Sequence, residues 1–202
     1  MFENRETQLR FGGSFTLAFA DQVLFDKEEY FDHLVNLIIS EPRYSSGRDV
    51  RKDMLYESFF ISLFAYLESM TGQACNDLAT ILHKNIRLCD LNERSKFEGI
   101  RKYLSLVADT EFPTATVFKT ITDYRKVRNV LAHGNSLIDL RENYKKVIKK
   151  LPGIECDEDG DLVLTPEFCK SFIAFCRMYV KQLKSVSENI VERAKRKVTV
   201  VT

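Results

Sequence analysis

The sequence predicts an all-α protein: a bundle of five to six helices with a small β-hairpin before the last one. Three observations carry this. Apolar residues recur at three- and four-residue steps through most of the 202-residue chain. No strand–helix alternation, glycine-rich phosphate loop or internal repeat interrupts them. One apolar pair of short runs, Ile154-Glu155-Cys156 and Asp161-Leu162-Val163-Leu164, flanks an Asp159-Gly160 turn of the kind a hairpin uses.

In chain order, residues 1–25 read as an N-terminal arm, where Gly12-Gly13 precedes the alternating Ser14–Phe19 run. That run fits either a short strand or an arm packed on the main body. Residues 26–197 read as a single helical domain, with 198–202 as a tail. The first helix is expected from Asp26 to Ile39, with Phe31, Leu34, Leu37 and Ile38 on one side and acids near its start. Glu41-Pro42 and Ser45-Ser46-Gly47 end it. A long helix over Asp49–Leu82 carries Tyr56, Phe60, Leu63, Phe64 and Leu67 as its apolar stripe. Glu57 and Glu68 share one flank of that stripe. Gly72 marks a place for a kink or a division of the helix.

A polar loop over Asn85–Asn92 leads to a helix from Glu93 to Ala108. Thr114 and Thr116 are the candidate caps for the next one, which runs to His133. The segment Leu137–Leu151 has the same helical spacing, and Pro152-Gly153 stops it. After the hairpin, Thr165-Pro166-Glu167 is a helix start with proline at the first helical position. The final helix extends to about Arg196, with Phe168, Phe172, Phe175, Met178, Tyr179 and Leu183 inward. Its basic end, Arg193 to Lys197, fits a solvated tail and also fits contact with phosphate.

Composition narrows the function classes. Thirty basic residues against 29 acidic ones give a net charge of +1, so no global field points to nucleic acid or membrane. No run approaches the roughly 20 apolar residues of a membrane span, and the N-terminus lacks a signal-peptide pattern, so a cytoplasmic protein is expected. The five cysteines show no metal-ligand spacing and read as buried thiols in a reducing compartment. His33, alone among acids, reads as exposed or satisfied. The acidic 157–161 loop lacks the twelve-position pattern of a calcium site. No metal or cofactor is expected.

Function concentrates in Arg125-Lys126-Val127-Arg128-Asn129-Val130-Leu131-Ala132-His133-Gly134-Asn135. With Ile121 as origin of a helical wheel, Val117, Phe118, Tyr124, Leu131 and Ala132 define an apolar stripe, and Arg128 falls near its middle. A guanidinium keeps its charge and is costly to bury alone, so Arg128 is expected to meet a carboxylate, a partner chain or an anionic ligand. Asn129 and His133, four positions apart, share a flank. Gly134 suits the left-handed residue that closes a helix, leaving His133 in the last turn, where the dipole favours imidazolium. A histidine able to move protons near neutral pH, beside a fixed cation, suits phosphodiester chemistry.

The stretch Arg128-Asn129-Val130-Leu131-Ala132-His133 resembles the Arg–(four to six residues)–His motif of the HEPN superfamily, with that superfamily's common polar residue directly after the arginine. The resemblance covers roughly residues 26–190 and implies a HEPN-like helical bundle. It further implies a metal-independent endoribonuclease of a toxin–antitoxin or antiphage system, in which a ribose 2′-OH attacks the adjacent phosphate to leave a 2′,3′-cyclic phosphate and a 5′-OH. Arg128 and His133 correspond to the catalytic pair and Asn129 to the polar position. Glu68 is the candidate acid to orient Arg128, and Arg125 and Lys126 are candidate RNA contacts. The implied partners are an RNA substrate, a second copy of the chain completing a composite site, and an antitoxin or other partner protein. Members paired with a nucleotidyltransferase antitoxin often carry tyrosine two residues past the histidine, where this chain has Asn135. The alternative is a noncatalytic HEPN-like bundle that binds RNA or protein.

Overall fold

The computed structural model describes residues 15–40, 50–93, 95–133, 142, 145–146, 150–157 and 161–199. Among these, the chain forms α1 (Phe15–Ala18), α2 (Ala20–Ser40), α3 (Val50–Ile81), α4 (Lys96–Ala108), α5 (Ala115–His133) and α6 (Pro166–Thr199). A single 3-10 turn, Leu88–Asp90, precedes α4. Strands β1 (Ile154–Cys156) and β2 (Leu162–Leu164) pair antiparallel before α6, with Glu155 opposite Val163. The all-α class with a small hairpin is therefore what the chain adopts. No described helix is long and apolar enough to cross a membrane.

Local chemistry explains the boundaries and several differences from expectation. Within the Ser14–Phe19 run, Phe15–Ala18 is helical rather than a strand and packs on α3 through buried Leu17 and the Thr16–Asp77 bond, and α2 begins at Ala20, ahead of the expected Asp26. Leu17, Ala20 and Leu24 are buried, so burial at helical spacing outweighs the alternation. Gly72 does not divide α3, which is continuous from Val50 to Ile81. α4 starts at Lys96 rather than Glu93, because the Ser95 side chain accepts the Glu98 N–H at 3.2 Å and fixes the first turn. At its far end Asp109 adopts a left-handed φ of 49° and closes the helix. Thr114 rather than Thr116 serves α5: its hydroxyl oxygen faces the Val117 N–H at 3.4 Å, and its carbonyl accepts from Phe118 at 2.8 Å.

The hairpin is tied to α6 at Gly153. Its φ of +71° and the Phe168 backbone nitrogen, 2.3 Å from where a Cβ would stand, both demand glycine. The Gly153 carbonyl accepts from the Thr165 backbone at 2.9 Å and from the Thr165 hydroxyl at 3.0 Å. The expected Asp159-Gly160 turn lies outside the described residues, although its flanks are joined: Asp157 Oδ1 accepts the Asp161 N–H at 2.7 Å. The glycine pair 12–13, the breaks at 41–47 and most of the 137–151 segment also lie outside them.

The chain divides into two compact units, and the divide falls inside α2, α3, α5 and α6. The second unit, Leu24–Ala65 with Lys119–Cys176, is built on aromatic rings. Phe60 of α3 meets Phe168 and Phe172 of α6 edge-on, each at 4.9 Å, and Tyr124 of α5 approaches Phe172 at 4.6 Å. Edge-to-face and tilted rings at such distances add to the hydrophobic gain of burying them. The first unit, Met1–Val23 with Tyr66–Phe118 and Arg177–Thr202, packs Tyr179 against Phe97 and Phe112 and adds polar ties. Asp77, buried on α3, accepts from Gln73 at 3.0 Å and from Thr16 at 3.2 Å. The Tyr103 hydroxyl donates to the Ile86 carbonyl at 3.0 Å, holding the segment between α3 and α4. Arg193, at the basic end of α6, is exposed yet tied to the end of α4. Its guanidinium donates to the Ala108 carbonyl at 3.0 Å and the Thr110 hydroxyl at 2.8 Å, closing the C-terminus of α4.

Candidate functional site

The C-terminal half of α5 lies in the second unit and is anchored by Tyr124, Val127 and Val130, all buried. This corrects the position expected for Arg128. From Val117 the buried positions run 121, 124, 127 and 130, mostly at three-residue steps, and each such step turns the face back by about 60°. By Val130 the buried side stands roughly opposite Ile121 on the wheel. Arg128 is consequently half-buried at the edge of the packing, Leu131 is half-buried, and Ala132 is exposed.

Arg128 meets a neutral partner on its own helix: Nη1 donates to Asn129 Oδ1 at 3.1 Å. Asn129 thus spends an acceptor on positioning the guanidinium, which makes no other hydrogen bond among the described residues. His133 is the last residue of α5. The described backbone therefore carries Arg128, Asn129 and His133 on one uninterrupted helix. Asn129 and His133 are on one flank, and Arg128 is displaced from His133 by about 140° around the axis. Gly134 and Asn135 lie outside the described residues.

The remaining candidates divide. Lys126 forms an i,i+3 ion pair with Asp123 at 3.0 Å, both side chains largely covered, so its charge is locally compensated. Arg125 is half-buried and engaged in interactions of its own. Glu68, half-buried on α3, belongs to the first unit, whereas Arg128 belongs to the second. His33 is exposed. Among the described residues, no three His, Cys, Asp or Glu side chains cluster so as to hold a metal ion.

The thiols separate into two kinds. Cys75, Cys169 and Cys176 are buried and free, in line with expectation, whereas Cys89 is exposed. Burial, with the nearby Asp77 charge adding to it, pushes the Cys75 thiol up to about 12. Burial alone does the same for Cys169 and raises Cys176 further. These three are held as neutral thiols, which are poor nucleophiles. Burial, followed by the neighbouring Cys176, likewise pushes the Tyr124 hydroxyl up to about 12.

One concave site escaped the sequence reading. In the first unit, the second half of α3, the segment from Lys84 to Glu93 and the start of α4 enclose a cavity of about 740 Å³. Its residues looked like a polar loop and two helix surfaces. The available signal was the density of cations between Lys84 and Lys96, combined with Ser95 as the helix cap.

The class that fold and site define is thus an all-α protein with an Arg-Asn pair and a histidine at the end of one helix. No family model matches the chain, and no curated protein and no solved structure matches it.

Proposed function

We propose that the chain is a metal-independent endoribonuclease of the HEPN type, acting in a toxin–antitoxin or antiphage setting in the cytoplasm. The observation that carries this reading is the Arg128–Asn129 bond on a helix whose last residue is His133. In the proposed reaction, a base removes the proton of a ribose 2′-OH and the freed oxygen bonds to the adjacent phosphorus. The P–O5′ bond breaks, and an acid protonates the leaving oxygen, giving a 2′,3′-cyclic phosphate and a 5′-OH. Arg128, held by Asn129, binds the charge that develops on the phosphoryl oxygens. His133, at the negative end of α5, moves the protons.

A single histidine does not readily act as base and acid in one step, so the proposal includes a homodimer in which two α5 ends share one cleft. Glu68 is retained as a supporting acid, and Arg125 and Lys126 as backbone contacts. An antitoxin or other partner protein that restrains the activity belongs to the same proposal. The competing reading is a noncatalytic helical domain that binds RNA or protein. On its side stands the pairing of Arg128 within its own helix, which a purely structural arginine would also make.

The test is to incubate the protein with single-stranded RNA in excess EDTA and to analyse product ends. The wild type is expected to leave 2′,3′-cyclic phosphates, with Arg128→Ala and His133→Ala each at least about 100-fold slower. Absence of cleavage by the wild type, or equal cleavage by the variants, overturns the reading. Sedimentation as a monomer at working concentration would remove the composite site.

A further inference from the structure

The cavity of the first unit has a charge pattern that its surroundings do not explain. Lys84, Arg87 and Lys96 lie on its wall, and none of the three makes an ion pair among the described residues. The one carboxylate on the wall, Glu93, is already bridged by Lys102. The nearby Asp90 carboxylate accepts the Arg87 backbone N–H at 2.7 Å, a bond that shapes the 3-10 turn and carries the Arg87 backbone with it. Neutral polar residues, Ser69 and Asn76 among them, and the apolar Leu88 and Leu91 complete the wall, and no aromatic ring lines it.

Packing helps to place one of these cations. Gly72 of α3 faces Lys96 so closely that a Cβ would stand 3.2 Å from Lys96 Cε and 3.7 Å from its Nζ. The missing side chain lets the lysine stem lie against α3 with its ammonium at the cavity.

We propose that this cavity binds a phosphate group, carried either by a small phosphorylated compound or by an RNA strand. Three exposed cations on the wall of one open concavity attract a multiply charged oxyanion. Arg87 offers the forked donors that match a phosphate, and the two ammonium groups supply point charges. The volume lies within the roughly 300–1,000 Å³ of small-ligand sites. Without a ring to stack on a base, recognition rests on the phosphate and not on nucleobase identity. The site is independent of α5 chemistry, so it stands or falls separately from the ribonuclease reading.

Cys89, exposed on the same wall, reports occupancy directly. The full chain is labelled with iodoacetamide, a neutral reagent, and the Cys89 peptide is followed by mass spectrometry. Inorganic pyrophosphate and a short single-stranded oligouridylate are the two probes, each also titrated by calorimetry. Slowed Cys89 labelling with pyrophosphate assigns a small phosphorylated ligand, and slowing with the oligonucleotide alone assigns an RNA strand. Binding is expected to weaken about tenfold or more in Arg87→Gln/Lys96→Gln and severalfold on raising salt, as charge-driven phosphate contacts do. Cys89 labelling unaffected by either probe overturns the proposal in the wild type alone, whatever the stability of the variants. Equal binding by a folded Arg87→Gln/Lys96→Gln protein overturns it as well.

Discussion

The two units hold their helices by different means. In the second, rings from α3, α5 and α6 interlock around Phe60, Tyr124, Phe168 and Phe172, with ion pairs such as Lys170–Asp32 at the surface. In the first, polar side chains close helix ends and fasten connections: Ser95 and Arg193 at the two ends of α4, Tyr103 on Ile86, and Asp77 between Gln73 and Thr16. The difference bears on function. The aromatic cluster anchors α5 through Tyr124. The cation-lined cavity belongs to the first unit, beside the segment that Tyr103 and Ser95 fasten.

That comparison can be broken most decisively in the aromatic unit. Phe60 is fully buried against several rings, so Phe60→Ala should cost about 3–5 kcal/mol in chemical denaturation. Hydrogen exchange should accelerate more in 119–133 and 166–176 than in 96–108; a uniform acceleration would show that the two packing regimes are not separable. A smaller effect is expected from Arg193→Ala, which strips the α4 C-terminus of its donors. About 1 kcal/mol of stability should be lost, with faster exchange confined to the end of α4 and the residues just after it. No local change there would mean that solvent closes that helix end as well as the guanidinium does.

Alkaline pH perturbs both units without any substitution. Cys75 and Cys169 rise from 9.0 to about 12 on folding, and Tyr103 and Tyr124 from 10.0 to about 12. A raised folded-state value favours the protonated form in the native protein. The associated stability is therefore complete below pH 9.0 and declines as pH climbs toward 12. Denaturation midpoints should hold steady up to about pH 8.5 and begin to fall above it. Over the same lower range, native-state alkylation should modify Cys89 and spare Cys75, Cys169 and Cys176. Rapid reaction at the latter three would show that their burial is only transient.

Much of this architecture is legible in local sequence. The α3 and α6 periodicities, the paired runs flanking Asp159-Gly160 and the Thr165-Pro166 start each encode an element through interactions a few residues apart. Ser95 and Glu98 carried an unread cap signal of the same local kind. The α5 end was only half legible. Its residues and their helical state follow from spacing, but a wheel drawn from Ile121 assumes one fixed buried face. The actual face drifts to Val127 and Val130 and leaves Arg128 at its edge, bonded to Asn129.

What the sequence determined by itself is therefore the class of the protein, its helices and hairpin, and the presence of Arg128, Asn129 and His133 on one helix. Hydrogen-bond periodicity and turn chemistry are short-range, so they can be read without knowing the neighbours. Tertiary structure alone decided that Arg193 closes a helix end 85 positions away in sequence, that Cys89 is open while three other thiols are sealed, and that Lys84, Arg87 and Lys96 share one concavity. Those outcomes depend on which distant side chain covers a given atom. A charged or ambivalent residue carries no local mark of its eventual neighbour.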